Sequence, residues 1–433
     1  MMIDINELEG TDDMSPRSNN SGRTRVRYKP RFFVIMAIVA ILIIFLAYKL
    51  VSGIIGGAGG GDEKEEQQPA EGKKVQLDVT VAGDLVIHAP VFEAMNTGNG
   101  YDFTPCFKYV KKYIEPADVA ICTFEGSLAK GGYTGYPLFR TPKKLAKDIK
   151  AVGFDLMTVT SNHAADGGTQ GFDNTIKFTK DAGLIPSGAQ EKDDDPDYAM
   201  ADAKDGTKVA FISYSYSDGS VKNPALNGNI LPEDMVKRCN TFTMKDRKGA
   251  VKDAARIEKE ARKAGADVVI ISMHWGEEYQ THSNDEQQKL AQMLVDGTTC
   301  DIIVGSHPHV IQEYSLLKAK DGKREVPCFF AIGNLLSNQR RELLGGDIHV
   351  EEGVITQFTI DYDTGTKEVE NIKTKRVPYW VNLWSGSGGT HYDIVPLVGN
   401  YKSNPSLTES GNVSLAAEAK REINRILDAD KKK

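Results

Sequence analysis

"DLMTVTSNHAADGG", residues 155–168, decides how this chain folds. A β-branched apolar run stops on Asn162 and His163, and Asp166 and two glycines follow. Packing alone gives a strand little reason to end on an amide and an imidazole. The same ending recurs in both directions along the chain. "VQLDVTVAGD" (75–84) closes on Asp84, with His88 four residues on, and "ADVAICTFEG" (117–126) closes on Glu125 and Gly126. "DVVIISMHWG" (267–276) reaches His274, "DIIVGSHPHV" (301–310) reaches His307 and His309, and "CFFAIGNLL" (328–336) carries Gly333 and Asn334. Between these runs lie helical patterns. "TPKKLAKDIKAVG" (141–153) and "VKDAARIEKEARKAG" (251–265) end on glycine, and "SNDEQQKLAQMLVDG" (283–297) opens on a Ser/Asn cap. Near-continuous apolar strands alternating with helices predict α/β layering, with sheets covered on their faces.

In such sheets ligands gather outside the carboxyl ends of the strands. Five of the eight histidines fall in these endings. Each residue has a plainer alternative: Asp84 or Asn162 as a helix cap, Glu125 as a surface carboxylate, His274 as a satisfied core histidine. Jointly they predict one polar cluster. Imidazoles with carboxylates and no clustered cysteine suit Zn, Mn or Fe and disfavour a structural zinc site. The set exceeds what one ion can use, so two divalent ions sharing a carboxylate are expected, an arrangement that activates water for in-line displacement. His307-Pro308-His309 is read as an extended segment aiming both imidazoles to one side.

The chain has 433 residues, 40% hydrophobic and 26% charged, as a globular protein should. Five scattered cysteines without a CxxC pair argue against a thiolate metal site or a disulfide framework. Residues 1–31 read as a polar, disordered cytoplasmic tail. Residues 32–52 hold an uncharged run, "FFVIMAIVAILIIFLAY", directly after Arg23, Arg25, Arg27, Lys29 and Arg31. That pattern predicts a single uncleaved transmembrane helix with its N-terminus in the cytoplasm and the body outside the cell membrane. A cleaved signal would have a shorter leader and a small-residue cleavage site. Residues 53–74 read as a linker, 75–350 as the main domain, and 351–433 as a hairpin around "DTGT" and a helix that complete it. Beyond residue 49 the chain carries 46 Lys and Arg against 55 Asp and Glu, so nucleic acid is not an expected partner.

With these residues in view, the chain resembles the bacterial capsule-synthesis CapA family, also called the poly-γ-glutamate capsule (PGA_cap) family. The matching stretches, over about residues 75–345, are "VAGDLVIHAP", "FEGSL", "FRTP", "VGFDLMTVTSNHAADGGTQGFDNT", "HWGEEY", "VGSHPHVIQ" and "AIGNLL". That family is similar to calcineurin-like metallophosphoesterases, which implies a four-layer αββα sandwich with a dinuclear site. The resemblance implies Asp84 and His309 on a first ion, Glu125 bridging, and Asn162, His274 and His307 on a second. It implies His163 as the acid that protonates the leaving group and Arg140 of "FRTP" as the partner of an anionic substrate oxygen. There are departures. Phosphoesterases begin Asp-x-His, whereas His88 stands four residues after Asp84; the bridge is Glu in place of Asp; and "SNH" replaces "GNH". Asp166 and Gly168 match the capsule family and are expected to orient the His163 loop.

The resemblance implies a role in synthesis, export or processing of an anionic envelope polymer such as poly-γ-glutamate, beside other membrane components of polymer synthesis. Two function classes follow: a metal-dependent hydrolase of a phosphoester or amide, and a non-catalytic, metal-dependent polymer-binding or assembly component. A third, a relic site kept only as polar core, would hold no metal.

Overall fold

The computed structural model describes residues 72–429. The expected tail, the transmembrane anchor and all but the last three residues of the linker lie outside them. No helix among the described residues is long and apolar enough to cross a membrane.

The apolar runs fold as strands of two sheets. In the first sheet, β1 (Lys74–Leu85), β2 (Val119–Phe124), β3 (Leu156–Thr158) and β4 (Ile185–Ser187) run parallel. In the second, β5 (Lys208–Tyr216), β6 (Val268–His274), β7 (Ile302–Ser306) and β8 (Glu325–Phe329) do the same. Alternation along each strand explains why both faces are apolar. Val268 and Ile270 of β6 face inward against Leu77, Val79 and Val81 of β1, while Val269 and Ile271 face outward. Helices α1 (Lys144–Val152) and α2 (Gly168–Asp181) cover the outer face of the first sheet through Leu145, Ile149, Phe172 and Ile176. Helices α3 (Arg247–Lys263) and α4 (Asp285–Gly297) cover the second through Ile257, Ala261, Leu290 and Leu294. The result is four layers, αββα.

Local signals act where the chain turns. Gly153 closes α1 in the left-handed region, and Asn284 opens α4 with a reciprocal capping box to Gln287. All five cysteines are buried thiols.

Two expectations need correction. "CFFAIGNLL" is not one strand. β8 ends at Phe329 in the second sheet, residues 330–333 cross the interior, and β9 (Asn334–Leu336) pairs with β1 in the first sheet. Continuous hydrophobicity cannot distinguish one buried strand from two joined by a buried crossing. The crossing presses Gly333 against Gly83, where a Cβ would meet the Gly333 carbonyl oxygen at 1.9 Å. Second, the region after 350 contributes more than a hairpin and a helix. β10 (Glu352–Asp363) and β11 (Glu368–Gly386) form the expected hairpin, and β12 (Gly389–Pro396) follows. All three join the first sheet antiparallel, beginning with β10 on β1. The terminal helix α5 (Val413–Leu427) buries Ala416, Ala419 and Ile423 in the core between the sheets.

Candidate metal centre

Both sheets present their strand ends to one place. Asp84 comes from the end of β1, Glu125 directly follows β2, and Asn162 and His163 lie in the loop after β3. From the second sheet come His274, the last residue of β6, and His307 and His309, just past β7. Gly126 (φ 141°) lets the chain turn immediately after Glu125, where a Cβ would meet Phe139 Cβ at 3.0 Å.

Glu125 is the centre of the arrangement. It is fully buried, and neither carboxylate oxygen has a hydrogen-bond partner. Its Oε1 lies 3.7 Å from His309 Nε2 and 3.7 Å from His163 Nε2, and its Oε2 lies 3.9 Å from His274 Nε2. Asp84 Oδ2 accepts the His307 backbone N–H (3.0 Å) and stands 3.8 Å from His309 Nδ1. Asp84 Oδ1 and His307 Nδ1 are also buried without a partner. Glu125, His307 and His309 each bring a donor atom within 4.8 Å of the others.

Such orphans cost several kcal/mol each when charged, about as much as a folded domain can spare, so they call for an ion. The spacings agree. They are too long for hydrogen bonds, and two donors each about 2.1 Å from one ion lie at most about 4.2 Å apart. The charge balance agrees as well. Burial raises the Asp84 carboxyl to about 7; burial, then the charge of Asp84, holds Glu125 far above the usual carboxylate range. Burial lowers His307 to about 3 and, with neighbouring imidazoles, keeps His274 and His309 neutral. Two carboxylates facing three neutral imidazoles form an oxygen and nitrogen donor set lacking positive charge, which fits a divalent transition metal.

Outer contacts fix the rings. His309 Nδ1 lies 3.1 Å from Asn334 Oδ1, and His274 Nδ1 lies 3.0 Å from Ser306 Oγ. His274 Nε2 is 2.7 Å from Asn162 Oδ1, and Asn162 Nδ2 donates to Asn227 Oδ1 at 3.0 Å. The His163 ring is held by Asp166, whose Oδ2 lies 2.7 Å from Nδ1 and also accepts the Phe139 N–H. Its other nitrogen faces Glu125 and a cavity of about 510 Å³.

The reading of His-Pro-His as extended is incorrect. His307 (φ 94°) and His309 (φ 59°) both adopt left-handed backbone, uncommon for non-glycine residues. The two imidazoles reach one site because the chain curls there after β7. Arg140 also stands elsewhere. Residues 134 and 140 pair across a short loop, and consecutive residues on extended backbone face opposite ways, so Phe139 enters the cavity while Arg140 lines a separate recess beside Gly167. His88 lines the cavity wall, with Nδ1 3.0 Å from Val86 O and its ring edge-on to Phe139. Sequence reasoning missed Asn227, at the tip of a short hairpin, with Nδ2 3.2 Å from the His163 ring nitrogens. Its Asn-Gly pair signals a turn, but nothing in it signals where the tip points.

The model of the family described as bacterial capsule synthesis protein PGA_cap matches residues 78–339. The capsule biosynthesis protein CapA of Bacillus anthracis is 26% identical over 301 residues, covering 67% of this chain and 65% of that protein. The PGA biosynthesis protein CapA of Bacillus subtilis (strain 168) is 27% identical over 278 residues, 61% and 64% respectively. The chain thus spans slightly less than two thirds of the length of these relatives. Among solved structures, a novel phosphatase from Mycoplasma pneumoniae matches at 13% identity and TM-score 0.37, covering 71% of this chain and 95% of that one. The calcineurin-like phosphoesterase YfkN from Bacillus subtilis matches at 16% identity and TM-score 0.40, covering 70% and 91%.

Proposed function

The chain belongs to the PGA_cap family of bacterial capsule synthesis proteins, and on that premise we propose that it is a membrane-tethered, outward-facing, metal-dependent hydrolase in the assembly of an anionic envelope polymer, poly-γ-glutamate or a relative. The observation that carries this reading is Glu125: a buried carboxylate with two unpartnered oxygens, one facing His309 and His163 and the other facing His274.

Asp84, Glu125 and His309 would hold one ion. Asn162, His274 and His307 would hold a second, with Glu125 common to both. Bound there, Mn, Zn or Fe would supply Lewis acidity and a nucleophile at neutral pH. The chain's own residues do the rest. His163, fixed through Nδ1 by Asp166, presents Nε2 to the cavity, where it can give a proton to a departing oxygen or nitrogen. Asn227 and Phe139 hold that ring in one plane. The apolar run at 32–52 would keep the body at the outer membrane surface, beside the other components of polymer synthesis.

Full-length protein in detergent, loaded with Mn, Zn or Fe in turn, should hydrolyse an aryl phosphate or an oligo-γ-glutamate amide. Activity should vanish with chelator and fall sharply in His163→Ala. Polymer binding without turnover under all three ions would instead identify a non-catalytic assembly component.

A further inference from the structure

The cavity over the metal cluster has a floor and a wall of opposite character. The floor is Glu125, His163 and His309; the outer wall is largely Tyr136, Phe139, Tyr279, Leu343 and Leu344, and its polar members are His88, Asn338, Gln339 and Glu278. Tyr136 is 78% exposed and Leu343 65% exposed. Of the six large apolar side chains that stand exposed among the described residues, these two line the mouth and Leu138 shares the loop of Tyr136. Isolated exposed apolar residues need no explanation, but a cluster around a concave site does.

Their exposure is imposed by the fold. The loop of Tyr136 is closed by paired backbone bonds between Thr134 and Arg140, 3.1 and 3.0 Å. Leu343 and Leu344 ride on a turn that begins at Arg340 and Arg341. Both guanidinium groups pair with the buried Glu351, and Arg340 also lies over the Trp380 ring. Both apolar groups are thus held toward the cavity by anchored backbone.

The charge of the wall is equally telling. No lysine or arginine among the described residues lines this cavity, and its outer charged group, Glu278, is acidic. A run of consecutive anionic units crossing this mouth would meet leucine, tyrosine and a carboxylate, with no cation to pair each charge. One oxyanion at the ion cluster, carrying a neutral apolar arm, matches floor and wall together.

Resting on the hydrolase reading above, we propose that the substrate is an amphiphile: a single oxyanion head at the cluster and an apolar or aromatic arm against Tyr136 and Leu343. The site then works on a lipid-linked or apolar-capped end of the polymer and not within its anionic run.

The test is calorimetric binding of methyl-, butyl- and phenylphosphonate and hexa-γ-glutamate to Mn-loaded full-length protein, with acetate and phenylacetate as the pair carrying a carboxylate head. Butyl- and phenylphosphonate should bind roughly tenfold or more tightly than methylphosphonate, because the arm buries apolar surface. Tyr136→Ser with Leu343→Ser, both at exposed positions, should abolish that ratio. An arm preference with either head supports the proposal. Equal affinity along the series, or hexa-γ-glutamate binding more tightly than phenylphosphonate, would overturn it. Metal-dependent binding of all three phosphonates without arm preference would spare the hydrolase reading and remove only this inference; failure of every head to bind would remove both.

Discussion

Asn334 Oδ1 lies 3.1 Å from His309 Nδ1, and the same asparagine is the cross-strand partner of Asp84. The first residue of β9, reached directly from the crossing segment, therefore sets the ring of one candidate ligand beside the strand position of another. With Nδ1 turned to Asn334, His309 Nε2 is left to face Glu125. Asn334→Ala should weaken Mn binding about 10–100-fold, the usual cost of losing such an outer hydrogen bond. Competition with a fluorescent chelator measures it, and affinity equal to the parent would show that the ring needs no such support.

His163 should separate proton transfer from ion binding. His163→Ala is expected to lower kcat about 10²–10⁴-fold while the metal content, by mass spectrometry, stays near that of the parent. Asp166→Asn should fall between parent and His163→Ala. If ion content fell together with activity, His163 would be a ligand and not the acid.

Glu125→Gln should reverse the order of stability. Without ions, the variant no longer carries a buried unpartnered carboxylate and should be more stable at pH 8 by about 1–3 kcal/mol. With Mn at a hundred times the parent's Kd, the parent alone gains about 2.7 kcal/mol. Thermal melts with chelator and with Mn should therefore cross. A variant less stable than the parent under both conditions would contradict the central role of this carboxylate.

The pH dependence of the metal-free protein follows from two opposed groups. His307, lowered to about 3, and His274 and His309, lowered also, bind fewer protons folded than unfolded, so stability rises with pH until about 6.5. Asp84, raised to about 7, and Glu125, raised also, bind more protons folded than unfolded, so they remove stability as pH rises from about 4 through about 7. Above pH 6.5 only the carboxylate effect continues. The Tm with chelator should fall from pH 6.5 to 8, and Mn should reduce the fall, leaving the part due to Glu352, which burial raises to about 7 outside the site. Ion binding at pH 7 should also release protons, seen as different calorimetric enthalpies in buffers of different ionisation heat.

Gly83→Ala tests the seam beneath the site. A methyl there would meet the Gly333 carbonyl oxygen, a backbone atom, at 1.9 Å, with Asp84 adjacent. A loss of about 1–3 kcal/mol or more is expected in urea unfolding, with weakened ion binding in whatever remains folded.

The layering was legible because burial on both faces makes a strand apolar throughout, and β6 and β7 read that way without ambiguity. The gathering of Asp84, Glu125, Asn162, His274, His307 and His309 was legible because polar side chains at apolar strand ends have few other uses. Features that depend on where the chain goes afterwards were not legible. The left-handed backbone of His307 and His309, the passage of residues 330–333 from one sheet to the other, and the choice of Phe139 over Arg140 for the cavity are all set by contacts distant in sequence. Asn227 was missed for the same reason: its turn was visible, and its neighbour His163, 64 residues away, was not.

The donors divide between the layers: Asp84, Glu125 and Asn162 belong to one sheet, and His274, His307 and His309 to the other. Any ion shared across Glu125 would rivet the two halves of the sandwich at one edge, so occupancy should be readable far from the chemistry. Amide exchange along β1 and β6 should slow together when the ion is added.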